Sequence, residues 1–542
     1  MPKIGRRRLK LVLVAVTIAS LLLTGRAFYL TMGDGEGLQA MAAEQSSETQ
    51  DVASGRGDIL TADGRRLATS LDRFNLIATP YQIESPSEVA MKISQIAGTE
   101  LGLSATQITT ELTARDASGN LGGYNVIGSI EPVSAEKIRA LSVEGLTLTP
   151  TSVRAYPDGQ LASQTTGYLG DYGEPFGGIE SRYDKKLKSG QDVRITIDAA
   201  VQQELEKELE GVIKEHRANN TLGLVMRIDD GAVVALANAP SFDNNEFEQA
   251  GAERQRNRIL TDPYEPGSTF KPFNMAAALE EDVVSTDSWF TVPDRIQVAD
   301  RVIHDSEPHE TKTMQPKDIL EQSSNVGTIQ VAQQLGGDKL EEYIRRFGFG
   351  ESTGVDLWGE DPGVVPAYED WSGSSIGNIP IGQGITVTPL QLVTGYAALI
   401  NGGTTVDPHL KQRSWAPKPG QQVISRETSD IVRAMLQNVV ENGSGHLAQI
   451  PGYTVGGKTG TSQKVDPKTG AYAFKHIASF IGFAPASDPE YVALIVADEP
   501  QTEYWGEVVA APAFKRLMSF TLGYYNVPPD DEKSLVAEGN PE

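Results

Sequence analysis

Two serine–lysine pairs at i, i+3 spacing stand out in the chain: Ser268-Thr269-Phe270-Lys271 and Ser134-Ala135-Glu136-Lys137. A serine hydroxyl is a weak nucleophile until a base takes its proton. A lysine amine becomes such a base when burial or a neighbouring cation lowers its pKa toward neutrality. About one or two such pairs arise by chance in a chain of this composition, and a lone pair reads most simply as a helix-capping serine with a solvated lysine. Setting separates the two. The segment YEPGSTFKPFNMAAALEE passes from a Pro-Gly turn straight into helix-forming sequence. A helix starting near Ser268 puts Ser268 and Lys271 on one side, tolerates Pro272 in its first turn, and points its positive end at the serine oxygen.

Two further motifs follow in order. Ser323-Ser324-Asn325 lies in EQSSNVGTIQVAQQLGG, 55 residues beyond Ser268, and Lys458-Thr459-Gly460-Thr461 lies in VGGKTGTSQ, another 135 residues on. Each has a second copy, Ser118-Gly119-Asn120 and Lys468-Thr469-Gly470. The first precedes the Ser268 pair, and the second sits in the polar excursion DPKTGAY. VGGKTGTS instead follows Tyr453-Thr454-Val455 and precedes an apolar hairpin, where an edge strand beside a cleft belongs.

The elements that must hold these motifs are legible as hairpins. TLGLVMRIDDGAVVALANAP carries two apolar runs around Asp230-Gly231, and HIASFIGFAPASDPEYVALIVADEP repeats the pattern around a Pro-containing turn. AAPAFKRLMSF resumes a helical period with Phe514, Leu517 and Met518 on one face. Early and late strands with helix-rich sequence between them predict one antiparallel sheet covered by helices. Before it, Val201, Leu205, Leu209, Val212 and Ile213 mark an amphipathic helix. Still earlier, DIL, FNLIATP, LTLTP and VRITI read as short strands, with a helix around 88–96. The fold class is α+β, and 542 residues require at least two domains.

A net charge of −25 sets the surface against phosphate backbones, so nucleic acid is not an expected partner. With no cysteine, disulfides, thiolate catalysis and cysteine-ligated metals are excluded. Lys3, Arg6, Arg7, Arg8 and Lys10 precede an apolar run from 11 to 30 whose only charge is Arg26. About 20 residues suffice for a helix to cross the hydrocarbon core. The charge bias predicts a retained single-pass signal anchor with the N-terminus inside. Ala40-Met41-Ala42 could serve as a signal-peptide cleavage site but lies well beyond the end of the run, so the retained anchor is preferred over a cleaved signal.

The whole stretch from Arg56 to about Tyr525 resembles class B penicillin-binding proteins. The motif triad carries the resemblance together with YEPGSTFKPF, IPIGQGITVTPLQLVTGYAALINGG, ASFIGFAPASDPEYV and EVVAAPAFKRL. RGDILTADGRRLA, RAYPDGQLASQTTGYLG, GGIESRYD and VRITIDAAVQ carry it upstream. It implies a cytoplasmic tail (1–10), a membrane anchor (11–30), a linker (31–55), a dimerisation or pedestal domain (56–217), a transpeptidase domain (218–527) and a disordered acidic tail (528–542). By resemblance, Ser268 attacks the penultimate D-Ala carbonyl of a peptidoglycan stem peptide and forms an acyl-enzyme, with Lys271 taking its proton. Ser323 and Asn325 complete the proton relay and orient the substrate amide. Lys458 supplies positive potential, Thr459 and Thr461 bind the substrate carboxylate, and the amides of Ser268 and Thr461 form the oxyanion hole. Gly460 lets substrate backbone approach the strand. An amine of a neighbouring stem peptide then resolves the acyl-enzyme; no metal or organic cofactor is needed, and β-lactams act as covalent inhibitors.

The resemblance also ranks the alternatives. The segment before Asp198 is too short for a glycosyltransferase domain, and neither a β-lactamase nor a D,D-carboxypeptidase needs this upstream module. S-x-N rather than S-x-D, and YEPGSTFK rather than YPPGSTFK, resemble the division-specific, FtsI-type branch. That branch implies an FtsW-type polytopic glycan polymerase and other division proteins as partners at the septum of the bacterial cell membrane. Elongation or sporulation paralogues, and an inert division scaffold, are the rival readings.

Overall fold

The structure, a computed structural model, describes residues 3–28, 55–115, 119–414, 420–465, 472–531 and 534. Residues Lys3–Phe28 form a 26-residue helix, and the side chains described along it, Val14 to Arg26, are exposed. The predicted span 11–30 extends past those side chains at both ends. Among the described residues no helix is long and apolar enough to cross a membrane. Most of the predicted linker lies outside the described residues, as does the second KTG copy.

Beyond that helix the chain forms two compact units. In the smaller, residues 72–152, the second half of strand Arg66–Ala78 pairs antiparallel with Asn125–Ile130. Helices Pro86–Leu101, Ala105–Leu112 and Pro132–Ala140 bury Ile93, Ile108, Leu112 and Ile138 in the same core as Leu76 and Ile130. The alternative pair, Ser134 and Lys137, sits on the last of these helices. Ser134 donates to Glu100 and Lys137 is exposed, so the pair has no chemistry around it.

The larger unit holds residues 55–71 together with everything from Val153 onward. Residues 55–71 and 153–198, which the sequence reading placed in the upstream domain, thus group by contact with the sheet-bearing unit. Ile59 pairs with Ala68 on one side and with Val193 on the other. Close by, Glu180 is fully buried between two guanidiniums, Arg56 Nε at 2.6 Å and Arg154 Nε at 2.6 Å. Arg56 also reaches Asp184 at 2.6 Å. RGDI, RAYP and GGIE each contribute one member of this cluster, which ties three separated segments together.

At the centre of the larger unit is a five-stranded sheet. Its strands are β1 (Asn220–Arg227), β2 (Val233–Ala239), β3 (Gly456–Val465), β4 (Tyr472–Ala484) and β5 (Tyr491–Asp498). They run in the order β3-β4-β5-β1-β2, all antiparallel, so the early and late hairpins join through β5 and β1 as predicted. Helices α1 (Ala199–His216) and α6 (Ala511–Tyr524) share one core with a face of the sheet, where Leu205, Leu209, Phe514 and Leu517 meet Val225, Phe480 and Ile495. Gly223 allows the close approach, because a Cβ there would stand 2.7 Å from Leu205. The opposite face, with Leu222, Leu224 and Ile481, shares the main core with α2 (Lys271–Glu280), α3 (Pro316–Glu321), α4 (Asn325–Leu335) and α5 (Arg426–Asn442). Alternate side chains along β1 thus enter different cores, as the period of a strand requires. Of the predicted disordered tail, the described Asp530 accepts hydrogen bonds from Thr454 and Ser487, and Ser534 Oγ accepts from the amide of Gly452.

Candidate active site

Ser268 lies in a 3₁₀ turn, Gly267–Phe270, that runs directly into α2. In such a turn residues three apart eclipse, so Ser268 and Lys271 share a side. Pro272 falls at the start of α2, where an amide proton is dispensable. The turn is locked from both sides. Gly267 has φ of +57° and its amide donates to Gly382, while a Cβ on Gly382 would strike the Gly267 carbonyl at 2.2 Å.

The three motifs converge. Lys271 is fully buried, and its Nζ donates to the Ser323 carbonyl at 2.5 Å and reaches Ser323 Oγ at 3.3 Å. Lys458, also fully buried, donates to Ser323 Oγ at 2.9 Å and to Thr459 Oγ1 at 3.3 Å. With the lone pairs of Ser323 Oγ engaged by two amines, its hydrogen is left for the cleft. Thr459 Oγ1 lies 2.9 Å from Ser444 Oγ, and Thr461 Oγ1 accepts the amide of Gly506 at 3.3 Å. Asn325 donates to the carbonyl of His304 at 2.8 Å. Ser268, Ser323, Asn325, Thr459 and Thr461 all line one cleft of about 1010 Å³. Among the described residues Ser268 Oγ has no hydrogen-bond partner, and it faces the cleft.

Electrostatics suit a neutral base. Burial first, and the charge of Lys458 second, push the Lys271 ammonium well below its ordinary range, with Asp305 pulling the other way. Burial lowers Lys458 to about 7, opposed by Glu507. A neutral Lys271 can donate one N–H to the Ser323 carbonyl and keep its lone pair for a proton from Ser268. Lys458 has no exposed surface, so it acts on a ligand through its field and through Thr459 rather than by contact. As the outer strand of the sheet, β3 leaves alternate backbone groups unpaired along the cleft, and Ser268 sits in a first turn whose amides lack helical acceptors.

Two backbone features add to the sequence reading. A Cβ on Gly460 would meet Ser479 Oγ at 2.4 Å and Thr269 Cγ2 at 2.8 Å. The glycine lets β3 press against the turn that carries Ser268. Ser323, in turn, has φ of +54°. It occupies the position after the C-cap of α3, its amide bonded to Leu320 and that of Ser324 to Ile319, a pattern usually closed by glycine. Ser323→Gly is therefore expected to be more stable than Ser323→Ala by about 1 kcal/mol in urea titrations. Both variants are expected to lose roughly a hundredfold in acylation rate, because both lack the hydroxyl between the lysines.

Asp305, His309 and Ser444 belong to the site, yet nothing in their local sequence sets them apart from a polar loop. Aromatic side chains also line the cleft, with Tyr504 stacked on His476 at 4.5 Å.

Comparison with known proteins agrees with this geometry. The profile of the penicillin binding protein transpeptidase domain matches residues 221–519, and that of the penicillin-binding protein dimerisation domain matches residues 51–222. Stage V sporulation protein D of Bacillus subtilis is 31% identical over 97% of this chain and 86% of its own length. Peptidoglycan D,D-transpeptidase FtsI of Escherichia coli K12 is 29% identical over 96% of this chain and 92% of its own. Among solved structures, penicillin binding protein 3 of Mycobacterium tuberculosis in complex with aztreonam superposes with a TM-score of 0.70 at 27% identity, covering 89% of this chain and 98% of that one. With two matched domains spanning most of the chain and the three motifs gathered on one cleft, the chain belongs to the class B penicillin-binding protein transpeptidases.

Proposed function

We propose that the chain cross-links peptidoglycan as a serine D,D-transpeptidase. The observation that carries this reading is the meeting of Ser268 and Ser323 on one cleft, with two buried lysines of lowered pKa behind it against Ser323. Lys271 accepts the Ser268 proton as Oγ attacks the penultimate D-Ala carbonyl of a donor stem peptide. The carbonyl oxygen takes up negative charge against the amides of Ser268 and Thr461. As the C–N bond breaks, a proton returns through Ser323 to the nitrogen of the departing D-Ala, leaving an ester on Ser268. An amine of a second stem peptide attacks that ester, gives up a proton along the same route, and restores the serine. Thr459 and Thr461 hold the donor carboxylate, and Asn325 orients the amide. β-Lactams would acylate Ser268 by the same first step.

Acylation should lose rate on the acid side as Lys271 takes up a proton, and on the alkaline side as Lys458 loses one. Given lipid-linked precursor and a glycan polymerase, the wild type should yield cross-linked stem peptides and Ser268→Ala none. Free D-Ala released without cross-links would make the chain a hydrolase instead.

In this reading the apolar run from 11 to 30, with the basic residues before it, is a single-pass anchor that leaves the cleft outside the cell. The S-x-N form of the second motif and the FtsI relative favour a septal role beside an FtsW-type polymerase. The 31% identity to a protein named for stage V of sporulation favours a sporulation role as the second reading. A fluorescent fusion of the full chain that gathers at mid-cell in vegetative cells supports the first; one seen only in sporulating cells supports the second.

A further inference from the structure

The rim of the cleft includes residues 304–310, a segment that leaves strand Arg301–His304 and bonds the second motif at Ser324 and Asn325. The Asn325 side chain donates to the His304 carbonyl at 2.8 Å. The Asp305 carboxylate accepts the Val326 amide at 3.0 Å and the Ser324 hydroxyl at 2.8 Å, while that hydroxyl caps Gly327 at 2.9 Å. Asp305 thus holds the N-terminus of α4 from outside the helix, alongside the helix's own cap.

His309 closes this arrangement. Its Nε2 lies 2.9 Å from Asp305 Oδ2 and its Nδ1 2.7 Å from the Glu310 carbonyl, with the side chain 14% exposed. A neutral imidazole carries one N–H and would set a lone pair against one of these two oxygens. Only the imidazolium donates to both. We infer that His309, as an imidazolium paired with Asp305, is a positioning residue for the transpeptidase reaction: it pins the rim loop onto the N-terminus of α4 and balances the Asp305 charge that Lys271 senses. The inference rests on the proposed acylation of Ser268.

The charged neighbours are few. Asp305 and the Glu310 carbonyl favour the cation, Lys312 opposes it, and Asp294, next to the hairpin of strands Arg295–Val298 and Arg301–His304, feels both His304 and His309. Glu310 and then Asp305 raise the His309 pKa above its ordinary value, so the clamp is complete below that value and opens as pH rises through the raised one. Asp305 in turn raises the pKa of Lys271. Removing the imidazolium should expose more of that carboxylate's field and make Lys271 harder to deprotonate.

Two measurements on the full chain test this. Exchange of the histidine C2 hydrogen, read peptide by peptide by mass spectrometry, should give His309 a pKa above that of a free histidine. A pKa at or below the free value overturns the clamp. The pH profile of acylation by a fluorescent penicillin should move its acid limb upward by about 0.5 pH unit in His309→Gln, with a several-fold lower plateau. An unmoved acid limb overturns the coupling to Lys271, whatever happens to the plateau. Should His309→Gln fail to fold, the wild-type exchange measurement decides alone. A wild type that is never acylated removes the transpeptidase reading, and with it any positioning role for a reaction, while the exchange measurement still reports the charge on His309.

Discussion

Replacing Lys271 by Met is expected to lower the second-order rate of acylation by a β-lactam by roughly a thousandfold or more without unfolding the protein. Lys271 is buried completely, with its amine against the Ser323 carbonyl and hydroxyl, and it lies one turn beyond Ser268. Met matches the length of the lysine stem and fills the same space, so packing is preserved. The sign of the stability change follows from linkage. The folded-state pKa lies well below the unfolded one, so the folded chain binds fewer protons over that window and gains stability as pH rises through it. Below the folded pKa the full cost of the buried lysine is felt. Lys271→Met lacks that term, and its thermal midpoint should therefore gain on the wild type as the pH is lowered. A variant that loses activity and stability together, with no dependence of the difference on pH, would show a structural lysine rather than a base.

The largest loss of stability is expected from Glu180→Ala. This carboxylate is fully buried and neutralises two nearly buried guanidiniums, Arg56 and Arg154. Removing it leaves Arg154 without a carboxylate and Arg56 with Asp184 alone, in a medium that solvates charge poorly, at a cost of about 3–5 kcal/mol. Glu180→Gln keeps the shape and some hydrogen bonding, so its loss should be smaller. Replacing all three by apolar side chains of similar volume should recover much of the stability, because the desolvation of the cluster disappears along with its attraction. Urea titrations of the three variants give the ranking. If Glu180→Ala unfolds at the wild-type midpoint, the cluster is not what holds residues 55–71 and 153–198 together.

How much of this was legible in the sequence depends on the range of each interaction. The Ser268–Lys271 relation is local, and a Pro-Gly turn ahead of helix formers was enough to choose it over Ser134–Lys137. The hairpin around Asp230-Gly231 and the helical spacing of Leu205 and Leu209 were also local, and the sheet follows from them. The meeting of Lys271, Ser323 and Lys458 joins residues 52 and 135 positions apart. No periodicity reports such a contact, and only the family resemblance anticipated it. The left-handed backbone of Ser323 was invisible, since its position normally asks for glycine and the sequence shows only a serine pair. Nor does the sequence show that Gly460 admits the serine-bearing turn against the strand, where a Cβ would meet Thr269 and Ser479. The RGDI, RAYP and GGIE segments were read as markers, and their shared cause, one buried carboxylate, needed three-dimensional proximity. Asp305 and His309 went unremarked because a polar loop gives no sign of which side chains face inward.

Mass spectrometry of the full chain after reaction with benzylpenicillin tests the central claim most directly. One penicilloyl group per chain is expected, located on the peptide that contains Ser268 and absent from Ser268→Ala. An adduct on another residue, or equal labelling of wild type and Ser268→Ala, would contradict it.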